Sequence, residues 1–325
     1  SMQSKAVFQI LPAPSPQVAR PMTWSCAGQM SMMTALRAQI GAGYRTMTLT
    51  PPLRHWCNLR KPKGKGANMN SYDTLLISNP AKYVVQITLN RPDFANAFNT
   101  QMALDLIDIF ESLSMAPSET RAIILTGSGT RAFCAGGDLK ERHGMSNAAW
   151  SKQHLVYERM ARAVITCPIP VIGAINGAAY GGGCELAAAV DFAYVAHGAR
   201  FAQTEVKIGI IPGAGGTQTL ARAIGERRAK EMILTGEVLT AEQALDWGLA
   251  NAIYPIEELL PTALKTAKTI AANAPIAVRQ AKLAIGRGNG LGLADGLALE
   301  IEAYNRTIPT EDRCEGWQRS MKTLA

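Results

Sequence analysis

Three features of the sequence predict a layered α/β domain with a helical C-terminal region. Strand-like and helical segments alternate from Tyr72 onward, and beyond Gly225 the pattern becomes almost wholly helical. Between these regions, three glycine-rich segments punctuate the alternation. Strands early and helices late fit layers packed around one core.

The elements follow in order. Residues 72–77 (YDTLLI) make a strand-like start, and residues 83–89 (YVVQITL), rich in β-branched side chains, form the next strand. Residues 100–113 set Leu104, Ile107 and Phe110 at helical spacing, with Thr100 as the expected cap. Residues 121–126 (RAIILT) read as a buried strand. Residues 169–175 read as another, followed by a glycine-rich turn and a helix through residues 185–190. Short strands follow at 191–196 and 201–204, then helices over 227–234, 241–247, 256–273, 276–285 and 290–305. The region has no internal repeat or low-complexity block.

The net charge of +8 is unevenly placed. Residues 1–69 carry nine Lys and Arg and no acid; the remaining 24 basic residues face all 25 acids, so the globular part is nearly neutral. No basic groove for nucleic acid is implied. The first 69 residues lack periodicity and hold turn formers such as Pro12, Pro14 and Pro16, and little fixed structure is expected there. Three readings stand for them: an upstream start ahead of a natural initiator at Met69, a targeting segment, or a functional arm. The leading Ser-Met reads as a vector remnant.

The longest apolar stretches, 171–179 and 187–195, fall short of the roughly 20 residues a membrane span needs. Six cysteines form no CxxC pair, and four histidines form no HxxxH or HExxH. Free thiols in a reducing compartment and no metal site are expected.

The three glycine-rich segments are FCAGGDLKE (133–141), NGAAYGGGCEL (176–186) and the stretch 205–218 that ends in IPGAGGTQ. Glycine clusters let backbone amides approach a ligand closely; tight turns packed against helices are the plain alternative. None fits a dinucleotide or P-loop pattern. Two precede apparent helix starts, where paired amides suit an anion that develops during reaction. Glu185 and Glu205 stand 20 residues apart among apolar and small neighbours. Burial would raise their pKa values and let two carboxyls act on one water as acid and base. Each carboxylate alone reads equally as a helix first-turn residue or a surface group.

Asn90-Arg91-Pro92 with Asn96-Ala97, then FCAGGDLKE, AINGAAYGGGCELA and IPGAGGTQ, in this order and spacing, resemble the crotonase (enoyl-CoA hydratase/isomerase) superfamily. The resemblance runs from about Tyr72 to near the C-terminus. It implies a ββα spiral core over residues 70–262 and a helical oligomerisation region over 263–325, assembled as a homotrimer or a dimer of trimers. It implies an enoyl-CoA hydratase of lipid metabolism that adds water to a 2-enoyl-CoA. No cofactor is needed, since coenzyme A belongs to the substrate.

By the same resemblance the catalytic positions are Glu185, Glu205 and the backbone amides of Gly137 and Gly182, with Glu205 favoured as the acid. Ala97, Ala135, Asp138, Leu139, Lys140 and Gly213 match substrate-binding positions. The presence of both glutamates favours hydration over isomerisation. Residues 138–142 (DLKER) and 308–313 (IPTEDR) also look like the methylglutaconyl-CoA hydratase branch. There Lys140 or Arg142 would meet a distal carboxylate; an ordinary exposed helix start is the alternative.

Two departures bear on coenzyme A affinity. Asp93 stands where the family often has Lys, and Ser320 and Thr323 stand near positions usually held by Phe and Lys. A Δ3-Δ2-enoyl-CoA isomerase and a non-catalytic CoA- or RNA-binding protein remain as rival readings. The expected compartment is the cytoplasm, or the mitochondrial matrix if residues 1–69 are a transit peptide.

Overall fold

The computed structural model describes residues 72–117 and 119–324. The expectations for residues 1–69 lie outside the described residues. Two sheets organise the rest. The larger has six strands, β1 (Leu75–Ala81), β2 (Val84–Leu89), β3 (Ala122–Gly127), β5 (Val171–Ile175), β7 (Phe192–Ala196) and β10 (Ala252–Tyr254), hydrogen-bonded in that order. Only the β1–β2 pair is antiparallel. The smaller sheet joins β4 (Ala132–Cys134), β6 (Ala178–Tyr180), β8 (Arg200–Ala202) and β9 (Leu239–Thr240). Three times the chain steps from the large sheet to the small one: β3 to β4, β5 to β6, β7 to β8. This repeating turn matches the α/β spiral expected.

The central strands are buried on both faces, as parallel strands covered by helices must be. Every residue of β3 and β5 is buried. Alternation then divides them between two apolar clusters. Ile123, Leu125, Val171 and Ile175 point into one cluster with α1 (Thr100–Met115) and α3 (Asn147–Ile165). Ile124, Ile172 and Ala174 point into the other, against α8 (Ile256–Ala272). Ala263, Ala267 and Ala271 recur every fourth residue, so α8 lies close to the sheet.

Some local expectations change. Asn99, not Thr100, caps α1: its side chain accepts from the Met102 amide at 3.0 Å. The hydroxyl of Thr100 instead accepts from Gln153. Leu104 is 40 % exposed because the buried arc runs through Met102, Leu106, Ile109, Phe110 and Leu113. Helix α3 was not foreseen; Ser146 caps it, and its polar outer face dilutes the apolar signal. The boundary expected after residue 262 falls inside α8, whose buried face belongs to the core.

The helices that leave the core are therefore α9 (Pro275–Gly288), α10 (Leu293–Asn305) and α11 (Glu311–Leu324). Helix α9 has no buried residue. Lys282 holds it to the core, donating to Asp191 Oδ2 at 2.6 Å and to the Ile169 carbonyl at 2.9 Å. On α9 and α10, Ile285, Leu293, Leu297, Ile301 and Tyr304 are each more than half exposed. No described helix is long and apolar enough to cross a membrane.

Candidate active site

The site forms where strands of the small sheet end in glycine turns that open helices. After β4, the chain passes Gly136 and Gly137 to α2 (Leu139–Arg142). After β6, it passes Gly181 to α4 (Gly182–Ala189). The segment around Phe98 binds the first turn: its amide donates to the Gly136 carbonyl, and its carbonyl accepts from the Asp138 amide, both at 2.9 Å. In such a parallel bridge the intervening Gly137 amide points away from Phe98. The Gly182 amide opens the first turn of α4, where it has no intrahelical partner. Close packing demands glycine here, since a Cβ at Gly182 would lie 2.4 Å from Phe98 Cζ. A Cβ at Gly136 would lie 2.7 Å from the Tyr180 carbonyl oxygen and 3.2 Å from the Gly182 nitrogen, so the two turns touch.

Glu185 stands in the first turn of α4 and is 3 % exposed. One carboxylate oxygen accepts the amides of Ala214 and Gly216 at 2.8 Å each. Gly216 opens α5 (Gly216–Ile224), so the carboxylate also meets that helix's positive end. Burial holds the Glu185 pKa above the usual carboxylate value, and the amides of Gly216, Ala214 and Gly213 offset only part of that rise. Glu205 opens a short 3-10 turn after β8 and lies against Gly181. Its Oε2 is buried with no hydrogen-bond partner among the described residues. Burial first, then the nearby Glu185 charge, pushes Glu205 up to about 7 against an opposing backbone contact. Between them Cys184 is fully enclosed, and burial raises its thiol well above the usual range, so it stays protonated.

Gly137, Gly182, Glu185, Glu205 and Gly213 all line one cavity of about 850 Å³. The other positions expected at the substrate lie outside that lining. Asp138 is buried with its carboxylate occupied. It caps α2 through the Lys140 and Glu141 amides and pairs with Arg91 at 2.9 Å. Burial works to raise its pKa, but Arg91 and those amides outweigh it and lower it. The Ala97 carbonyl accepts from Arg91, the Ala135 amide donates to Ala95, and Leu139 and Lys140 are exposed. Among the described residues no group of three or more His, Cys, Asp or Glu is placed to hold a metal.

Sequence reasoning missed one wall of the cavity. Trp150, His154 and Tyr157 line it from α3, joined by Phe98. Their spacing of four and three residues marks one helix face, a signal readable only once α3 is recognised. Arg142 completes the wall, with its guanidinium 4.2 Å from the Trp150 ring centroid and 4.9 Å from that of Tyr157.

Comparison with known proteins agrees with this architecture. The enoyl-CoA hydratase/isomerase family profile matches residues 80–324. YngF of Bacillus subtilis, assigned as an enoyl-CoA hydratase/isomerase, is 45% identical over 246 residues, covering 76% of this chain and 94% of YngF. The short-chain-enoyl-CoA hydratase of Clostridium acetobutylicum is 39% identical over 230 residues, 71% of this chain and 88% of its own. The crystal structure of an enoyl-CoA hydratase from Bacillus anthracis superposes with a TM-score of 0.75 at 42% identity, covering 77% of this chain and 96% of that one. The chain belongs to the enoyl-CoA hydratase/isomerase family of the crotonase superfamily.

Proposed function

We propose that the protein is an enoyl-CoA hydratase that adds water across the 2,3 double bond of an enoyl-CoA thioester. The observation that carries this reading is the unequal pair of carboxyls on one cavity. Glu185, whose carboxylate accepts the amides of Ala214 and Gly216, is placed to take a proton from the water that attacks C3. Glu205, pushed up to about 7 by burial, is suited to stay protonated and deliver its proton at C2. Addition makes the thioester carbonyl an enolate, and the amides of Gly137 and Gly182 are the donors that would stabilise its oxygen. One such donor is worth on the order of 10²–10³ in rate. Hydroxide from the water bonds to C3, its proton passes to Glu185 and the Glu205 proton passes to C2; transfer of a proton from Glu185 back to Glu205 then restores the starting state.

Relatives support the chemistry. One is the short-chain-enoyl-CoA hydratase above; another is the crotonyl-CoA hydratase of Syntrophomonas wolfei, 35% identical over 246 residues. The exposed apolar residues of α9 and α10 support assembly through these helices as a trimer or a pair of trimers. The deciding experiment follows the conjugated thioester absorbance of crotonyl-CoA mixed with the purified protein. Loss of that absorbance with formation of 3-hydroxybutyryl-CoA upholds the reading. Migration of the double bond in a 3-enoyl-CoA without hydration of any 2-enoyl-CoA would replace it with an isomerase.

A further inference from the structure

One aromatic ring stands between the two glycines whose amides face the cavity. Phe98 Cε2 is 3.8 Å from where a Cβ would stand on Gly137, and Phe98 Cζ is 2.4 Å from the same point on Gly182. Tyr157 meets Phe98 edge-on, with ring centroids 4.8 Å apart, and its Cε2 is 3.5 Å from the Cβ position of Gly137. Close-packed groups pass a displacement on, so the place of the Phe98 ring sets the spacing of the two amides.

The bonds that hold Phe98 end on Glu141. The Phe98 amide and carbonyl bind Gly136 and Asp138, and two residues on, the Thr100 amide donates to Glu141 Oε2 at 2.9 Å. That oxygen accepts twice more. Gln153 Nε2 donates to it at 2.8 Å and to Thr100 Oγ1 at 2.9 Å. Tyr157 shares its hydroxyl proton between that oxygen and the Phe98 carbonyl, 3.3 Å from each. Burial raises the Tyr157 phenol well above its ordinary range, so it keeps the proton it donates. Gln153 and Tyr157 are 5% and 3% exposed, and donors so buried are costly to leave unpaired. One carboxylate thereby ties α1, α2 and α3 together around Gly137. A carboxylate that merely capped α2 would serve that helix's own amides, but Asp138 already accepts them.

We propose that Glu141 is a positioning residue for the reaction: it fixes Phe98 and Tyr157 so that the amides of Gly137 and Gly182 converge on one oxygen. Glu141 lies outside the cavity lining and acts through those groups, without touching the substrate. The inference rests on the reading of these two amides as the donors to the enolate oxygen.

The test reads carbonyl polarisation with 4-(dimethylamino)cinnamoyl-CoA, a conjugated thioester whose absorbance moves to longer wavelength when donors draw charge onto its carbonyl oxygen. Titration of the full-length protein with this probe counts competent sites, and crotonyl-CoA supplies kcat and KM. The wild type is expected to shift the bound probe to longer wavelength. Glu141→Ala should bind the probe with a smaller shift. Its kcat per competent site should fall about 10–10²-fold with KM within about threefold, the pattern of an interaction realised in the transition state. Glu141→Gln keeps an acceptor oxygen and should recover most of the shift and the turnover. If Glu141→Ala does not fold, Glu141→Asp, whose carboxylate is one methylene short of the Thr100 amide, is read in the same way. A purely structural role would lower the melting temperature and leave the shift per bound probe unchanged, and that result overturns the proposal. So does a Glu141→Gln variant no better than Glu141→Ala. A wild type that hydrates crotonyl-CoA yet leaves the bound probe unshifted overturns this inference alone. One that shifts the probe in a Glu141-dependent way but hydrates no 2-enoyl-CoA sinks the hydratase reading and upholds this one.

Discussion

The Glu185 carboxylate accepts the amides of Ala214 and Gly216 at 2.8 Å each, whereas Glu205, on the same cavity, keeps a buried oxygen without a partner among the described residues. Two carboxyls of one residue type, both raised by burial, thereby sit in different hydrogen-bond environments. Burial acts on both, but only Glu185 has several backbone donors that favour its charged form.

Replacing either carboxyl by its isosteric amide should therefore cripple hydration. Glu185→Gln removes the proton acceptor and Glu205→Gln removes the proton donor, and each is expected to lower kcat by roughly 10²–10⁴. Stopped-flow absorbance with an enoyl-CoA checks this. A variant retaining more than a tenth of wild-type turnover would show that its carboxyl is dispensable.

The pH dependence of stability carries a definite sign. Glu205 has a folded-state pKa raised from 4.5 to about 7, so the folded protein holds this proton more tightly than the unfolded chain. Its contribution is fully present below 4.5 and is lost as pH rises through about 7. Glu205→Gln should abolish that fall and melt higher than the wild type at pH 8, as read by thermal denaturation across the interval. The activity of the wild type should likewise fall above pH 7 as the acid loses its proton.

Gly182→Ala would drive a Cβ to 2.4 Å from Phe98 Cζ and displace the start of α4. A turnover loss of about 10² is expected, comparable to losing one oxyanion donor. Gly198→Ala, where a Cβ meets nothing within 4 Å, should change stability by less than about 0.5 kcal/mol. Steady-state kinetics and melting of the two variants make the comparison.

Asp138 is engaged with Arg91 and the start of α2, so Asp138→Ala should act on folding. Loss of the cap and of the partner of a largely buried guanidinium is expected to cost about 1–2 kcal/mol by chemical denaturation. Its lowered pKa means this stability is present above the ordinary carboxylate range and disappears on acidification.

Leu297 and Ile301 on α10 are 51% and 57% exposed. If these helices mediate assembly, Leu297→Glu with Ile301→Glu should yield a monomer by light scattering, because burying two carboxylates in an apolar contact is costly. An unchanged mass would remove α10 from the interface.

What could be read from the sequence was local. The β-branched and apolar runs in residues 83–89, 121–126 and 169–175 and the helical spacing beyond residue 225 depend on neighbours a few residues apart, and the glycine turns depend on backbone freedom at single positions. The same local order, through family resemblance, pointed to Gly137, Gly182, Glu185, Glu205 and Gly213, which the fold places on one cavity. Tertiary structure alone decided how those residues differ. The donors that hold Glu185 come 29 and 31 residues later in the chain, and the cation that occupies Asp138 comes 47 residues earlier. The wall of Trp150, His154 and Tyr157 exists only because α3 folds across the glycine turns. Protonation, charge pairing and cavity shape are set through space by desolvation and by the few ångströms between groups, and chain order does not encode those distances.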